Sequence, residues 1–364
     1  MSLLLRLYGD FMEKRLSRAR HFLKGLDAIL LLSRPSITYL SGYSGSDAVY
    51  VFTEYKDFLF VDSRNTLQAT QETQAQVVEI TRRWEGIYTI LLEEGVKTLG
   101  VESNLLDVDS FIKMKDLYKG VEMTPLGGQL KTLRAIKDAD EVDCIMEAAR
   151  ISETALQLVL AKGIIGRREQ DVALDLEWEM KTRGASASSF ELLIASGPRS
   201  AMPHGAASDK VIGKNEVVII DFGCIYKGYC SDQTITLTTG NIEGDFQESY
   251  MRVKEAQTLS IKALTSGVKA SDIDQIARDY LGTHGLGAFF GHGLGHGVGM
   301  EVHEAPSVSP LSEDTLEEGM VITIEPGIYI PGRFGIRLED MALITDNSCK
   351  LLTNFDKETM RTIS

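Results

Sequence analysis

Two long segments of this chain repeat one another at a constant offset of 104 residues, and such a repeat restricts the architecture more tightly than any composition figure. Leu160 maps onto Leu264, Gly163 onto Gly267 and Val172-Ala173 onto Ile276-Ala277. Helical hairpins alone can match in this way by chance. The same offset, however, carries the apolar run 217–220 onto 321–324, Asp221 onto Glu325, Gly223 onto Gly327 and the turn residue Gly228 onto Gly332. A shared acid at the end of a shared strand marks a duplicated unit of two helices and a β-hairpin. The predicted helices cover 139–160 and 169–183 in the first copy, then 246–264 and a segment from residue 271 in the second, with Ser271 and Asp272 as caps. Val142, Ile145, Met146, Ala149, Leu156 and Val159 keep helical spacing, which predicts a core-facing stripe.

The duplication leaves the first third of the 364 residues to a separate, smaller α/β unit. A helix over 14–25 ending at glycine, a strand over 28–32 and a hairpin over 48–52 and 58–61 are predicted, followed by helices over 66–75 and 84–94 and a strand over 98–102. Pro125-Leu126-Gly127-Gly128 punctuates this alternation. The expected organisation is therefore an N-terminal domain over 1–125, a linker over 126–138 and a catalytic domain over 139–364. At the start, Arg6 and Asp10 interrupt the leucine run before a signal-peptide core or a membrane span forms. Met12 heads the charged helical stretch, which makes residues 1–11 a marginal extension.

Lys and Arg number 38 against 52 Asp and Glu, a net charge of −14. Residues 1–133 hold only −1 of it, so the surplus falls in the C-terminal two-thirds, where it suits a cation site as well as a solvated acidic face. That balance disfavours a nucleic-acid or anionic-membrane partner, either of which requires a basic surface. Four scattered cysteines are too few for a disulfide framework or a zinc ribbon, which predicts a reducing, cytoplasmic setting.

Chemistry concentrates in the duplicated domain. The strand 216–222 carries Asp221, and beyond the Lys227-Gly228 turn the returning strand carries Asp232. In the second copy the strand 320–329 carries Glu325 and the return 336–339 carries Glu339, so each strand is expected to hold one acid. Buried strands rarely hold unpaired carboxylates, because taking the charge out of water is expensive. These four acids require cations or protons. His292, His296 and His303 lie within twelve residues in the glycine-rich GHGLGHGVGMEVHEAP, which suits a pocket wall rather than a helical HExxH zinc site. Four carboxylates and one histidine favour Mn²⁺ or Co²⁺, with Zn²⁺ also compatible, and four negative charges match two divalent ions.

The ordered set Asp221, Asp232, His296, Glu325 and Glu339, in VVIIDFGCIYKGYCSDQT, GHGLGHGVGMEVHE, TIEPGIY and GIRLED, resembles the pita-bread metallopeptidases of the Xaa-Pro aminopeptidase and Xaa-Pro dipeptidase (prolidase) branch. The N-terminal α/β domain, with YLSGYSGSDA, is similar to that branch too. The resemblance implies an α+β catalytic domain whose two helix–hairpin halves form a curved antiparallel sheet around a dinuclear site. It implies that Asp221 chelates one metal, that Asp232 and Glu339 bridge both, and that His296 and Glu325 complete the other. Glu325 would also carry a proton from the metal-bridging water, leaving the hydroxide that attacks, to the leaving nitrogen. His204 and His303 would hold the scissile carbonyl, His292 would contact the proline side, Arg337 would orient Glu339 and Asp232, and Tyr329 would add a hydroxyl, with a packed strand aromatic as its alternative. Phe190 is a candidate for the proline pocket, with core packing as its alternative. The implied substrate is a peptide or dipeptide with proline second, and the implied assembly is a homodimer. A methionine aminopeptidase-like enzyme usually lacks such an N-terminal domain, while a creatinase-like hydrolase or a non-catalytic pita-bread peptide-binding module would lack metal acids. All five ligand positions are filled here.

Overall fold

Val49–Thr53 and Asp57–Val61 are aromatic and β-branched runs around a polar turn, and they pair antiparallel as the expected hairpin. They lie in a mixed six-stranded sheet ordered Gln76–Glu79, Asp57–Val61, Val49–Thr53, Ala28–Leu31, Thr98–Val101, Glu122–Pro125. The computed structural model describes residues 3–242, 244–357 and 361–363, with 3–11 described by backbone alone. It divides into two compact units, Met1–Arg134 and Ala135–Ser364.

The first helix departs from expectation. It runs Leu3–Arg20 and passes into a 3-10 turn, His21–Leu23, before Gly25 turns the chain at φ 79°. It therefore starts upstream of Met12, while residues 1 and 2 lie outside the described residues. Helices Arg34–Ser41 and Val108–Leu117 were not anticipated, although Ser33 and Asp107 each cap one by accepting a backbone N–H. Within 126–138, Gln129–Arg134 forms a 3-10 helix that buries Leu130, Leu133 and Arg134. Asp138 then opens the next helix in a capping box with Glu141.

The second unit repeats itself as the sequence indicates. Ala139–Ala161 and Glu169–Thr182 pair with one another, and so do Phe246–Lys262 and Ala270–Thr283. Gly163 (φ 81°) and Gly267 (φ 87°) occupy the same left-handed position after the first helix of each pair. Ser271 and Asp272 are not caps: the N-cap is Lys269, without a side-chain bond, and both fall in the first turn.

Each half builds its own core. Val218, Ile220 and Phe222 alternate along one strand face and pack with Ile151, Leu156, Leu176 and Met180 of the first helix pair. In the second half Ile322, Ile324 and Ile336 pack with Val253, Ala256, Ile273 and Ala277. The opposite strand faces carry Asp221 and Thr323 among apolar residues such as Ile219 and Val321. Val217–Phe222 pairs antiparallel with Gln233–Thr238, placing Thr234 opposite Asp221, and Val321–Ile324 pairs antiparallel with Asp340–Ile344.

The expectation of one acid per strand is corrected. Only Asp221 lies inside a strand. Asp232 falls between Tyr229–Cys230 and Gln233–Thr238, Glu325 between Val321–Ile324 and Gly327–Ile330, and Glu339 between Phe334–Arg337 and Asp340–Ile344. An interrupted ladder bends the chain and re-aims the side chain at the break, which a straight alternating strand cannot do. Among the described residues no helix is long and apolar enough to cross a membrane, and all four cysteines are free thiols.

Candidate active site

The three breaks and the Asp221 strand converge on one cavity of about 510 Å³. Its lining includes Asp221, Asp232, His296, Glu325 and Glu339, together with His204, His292, His303 and Arg337. Phe190, half-buried, lines the same cavity beside Glu191, Ser307 and Ser309. Tyr329 reaches the site through hydrogen bonds.

Asp232, His296 and Glu339 each present a ligand atom, all within 4.8 Å of one another. His296 Nε2 lies 3.3 Å from Glu325 Oε1 and 3.6 Å from Asp232 Oδ2. Its Nδ1 donates to the Gly297 carbonyl at 3.2 Å, which orients the ring with Nε2 toward the acids. The sharp approach of neighbouring strands accounts for two of the glycines here: a Cβ on Gly295 would collide with the Thr323 carbonyl, and one on Gly297 with that of Ala305. In the wall of glycines, backbone contact is therefore the reason at these two positions.

Arg337 organises the opposite side. It donates to Asp221 Oδ2 at 2.6 Å, the Tyr329 hydroxyl at 2.8 Å, Thr234 Oγ1 at 3.0 Å and the Pro203 carbonyl at 3.1 Å. Thr234 in turn donates to Glu339 Oε2 at 2.7 Å. Arg337 thus bonds Asp221 directly and reaches Glu339 by hydrogen bonds through Thr234, while its charge favours the ionised forms of both Glu339 and Asp232. The Tyr329 hydroxyl also lies 3.1 Å from His292 Nε2, while His292 Nδ1 faces the Gly293 carbonyl at 2.7 Å. A neutral His292 then accepts from Tyr329. Thr234, which links Arg337 to Glu339, was not singled out in the sequence, although Thr234, Thr236 and Thr238 alternate with Ile235 and Leu237 along the 233–238 strand.

The acids are in electrostatic conflict. Burial, reinforced by Glu339, Asp221 and Glu325, pushes the Asp232 carboxyl well above the usual range. Burial and the charges of Glu325 and Asp221 do the same to Glu339. Asp221 is raised by burial despite Arg337, and among the described residues its buried Oδ1 finds no hydrogen-bond donor. Burial also raises Glu325, but the His296 hydrogen bond and charge outweigh it and leave the carboxyl lowered. His296 is correspondingly raised by Glu325 against the effect of burial, whereas burial lowers His292 and His303. Burial lifts the Tyr329 phenol to about 12. Four acids facing one histidine, with an orphaned carboxylate oxygen, make a donor set that fits divalent cations: positive charge is the component that removes the conflict.

Two helix–hairpin halves around such an acid cluster define the pita-bread class of metal-dependent hydrolases. Residues 143–346 match the family model described as metallopeptidase family M24, and residues 15–136 match the creatinase/prolidase N-terminal domain. The Xaa-Pro dipeptidase of Pyrococcus horikoshii is 38% identical over 353 residues, covering 96% of this chain and 99% of that protein. The solved structure of an Xaa-Pro dipeptidase from Bacillus anthracis superposes with a TM-score of 0.93 at 35% identity, covering 96% of this chain and 99% of the other. The X-Pro aminopeptidase from Thermotoga maritima gives a TM-score of 0.86 at 35% identity, covering 92% and 97%. The chain belongs to metallopeptidase family M24, in its Xaa-Pro dipeptidase and aminopeptidase branch.

Proposed function

We propose that this enzyme hydrolyses the Xaa-Pro bond, at the N-terminus of peptides or in Xaa-Pro dipeptides, with two divalent cations held by Asp221, Asp232, His296, Glu325 and Glu339. The observation that carries the reading is the convergence of these five donors from both halves in one cavity that also admits three further histidines. Residues 139–364 supply the chemistry, following the smaller domain over 1–125 and the connecting 126–138. Bound cations neutralise the acids, polarise the scissile carbonyl and acidify water, with Mn²⁺ or Co²⁺ favoured by the oxygen-rich donors.

The protein's own groups do the rest. Glu325 accepts a proton from the attacking water and returns it to the proline nitrogen, which has no N–H of its own. His303 packs edge-on against His296, ring centroids 4.3 Å apart, and with His204 holds the carbonyl oxygen as charge develops there. His292, oriented by Tyr329, contacts the proline side. Arg337 holds Asp221 in place and transmits its position to Glu339 through Thr234. Free thiols fit a cytoplasmic enzyme, and the family resemblance supplies the expectation of a homodimer.

The deciding experiment is hydrolysis of Ala-Pro, Ala-Pro-Ala and Met-Ala-Ala by protein loaded with Mn²⁺ or Co²⁺. Cleavage of the proline substrates, lost with chelator, is expected. Preferential removal of Met would replace the reading with a methionine aminopeptidase.

A further inference from the structure

Two buried carboxylates outside the acid cluster have no place in the chemistry above, and each is tied to a loop that carries a histidine. Glu169, the first residue of its helix, is 0% exposed. Its Oε1 accepts from the Ser196 N–H and hydroxyl, both at 2.8 Å. Its Oε2 accepts from Arg199 Nε at 3.0 Å and from the Ser208 N–H and hydroxyl at 3.1 and 2.7 Å. One carboxylate therefore grips both ends of the segment 196–208, which contains His204. Arg199 extends the grip, donating through Nη2 to the Ala206 carbonyl at 2.7 Å.

The other half has a counterpart. Asp274, also 0% exposed, accepts from Arg278 Nε and Nη2 at 2.8 and 2.9 Å and from the Leu294 N–H at 3.0 Å. Arg278 donates onward to the carbonyls of His292 at 2.8 Å and Phe290 at 3.1 Å. Its guanidinium lies over the Phe290 ring at 4.4 Å, and that ring meets His292 edge-on at 5.1 Å. Helix carboxylate, arginine and loop carbonyl recur in the same order on both sides of the cavity. Such a chain adds a restraint on the loop backbone beside each histidine, and charge-assisted bonds do so with strong directional preference.

We propose that Glu169 with Arg199, and Asp274 with Arg278, are matched positioning residues that set His204 and His292, respectively, in the cavity. The proposal rests on the Xaa-Pro reading for the roles of the two histidines, but not for the restraint itself. Arg199→Gln and Arg278→Gln test it while leaving the buried carboxylates their remaining donors; Glu169→Gln and Asp274→Asn are the stronger pair. Each is measured for kcat/KM on Ala-Pro in wild-type, His204→Ala and His292→Ala backgrounds. Arg199→Gln is expected to lose about 10–100-fold, the scale of a displaced catalytic group. That loss should shrink to within about twofold once His204 is gone and persist in full without His292. Arg278→Gln should show the mirror pattern. Equal losses in every background would reduce these residues to general structural support and overturn the proposal. Independently of any activity, histidine-ring ¹H–¹⁵N spectra of the metal-free protein should show Arg199→Gln moving the His204 signal and leaving His292 unmoved, with Arg278→Gln doing the reverse. Unmoved signals in both variants would also overturn it, whatever the substrate proves to be.

Discussion

Asp232 illustrates how much a single position does here. Its carboxyl, with those of Glu339 and Asp221, is raised by burial and by like charges, so the folded metal-free protein binds protons more tightly than the unfolded chain does. Their contribution to stability is then complete below the ordinary carboxylate range near 4 and falls as pH rises through the elevated folded values. His296, also raised, adds to the fall above its ordinary value of about 6.5, while Glu325, lowered, acts oppositely at the acidic end. The metal-stripped protein should accordingly melt at lower temperature as pH is raised from 5 to 8. Asp232→Asn should flatten that slope, abolish activity and bring metal content below two per chain; retention of two ions, by atomic absorption, would remove Asp232 from the ligands. His303→Ala is a different case, because in the proposed site the nitrogen ligand is His296. Full metal content with kcat/KM reduced by about 10²–10³, the scale of one lost transition-state donor, is the expected result. These residues were legible in the sequence because acids in apolar runs and clustered histidines announce themselves by type. Glu169, Asp274 and Arg278 were not, since a helix-surface acid and a buried loop clamp look alike until the loops are in place.

At the level of elements, the helix pairs were readable from their 3.6-residue apolar period and their closing glycines. The strand breaks were not. Nothing in VITIEPGIY states that the ladder stops at Glu325 other than the proline after it, and the corresponding break at Glu339 has no such marker. Short capped helices such as Arg34–Ser41 also escaped, because eight residues give too little period to register. Lys137, just before the Ala139–Ala161 helix, reaches Glu304 at 2.7 Å, with both side chains 1% exposed. Glu304 opens the strand that follows His303. Removing one partner of such a pair leaves a buried charge, so Lys137→Ala should cost about 3–5 kcal/mol in urea unfolding. The double change Lys137→Met, Glu304→Leu should recover most of this. A loss under about 1 kcal/mol for the single variant would mean that water or another group already compensates Glu304.

For the whole molecule, part of the acidic surplus noted in the C-terminal two-thirds has a concrete location, since four of those acids face one another inside the fold. Asp221 and Asp232 come from one half of the duplication, and His296, Glu325 and Glu339 from the other. Cations bound as proposed would take donors from both halves at once, so their escape is expected to track the separation of the halves. With excess chelator, the release rate should rise with chelator concentration and then level off, the plateau being the rate at which the seam opens. A rate proportional to chelator throughout would mean that chelator strips the ions through the open cavity mouth. Where the plateau holds, substitutions deep in either helical core, such as Ile220→Ala or Ile324→Ala, should hasten metal loss without touching a ligand, so that the lifetime of the ion measures the mechanical integrity of a fold built twice from the same plan.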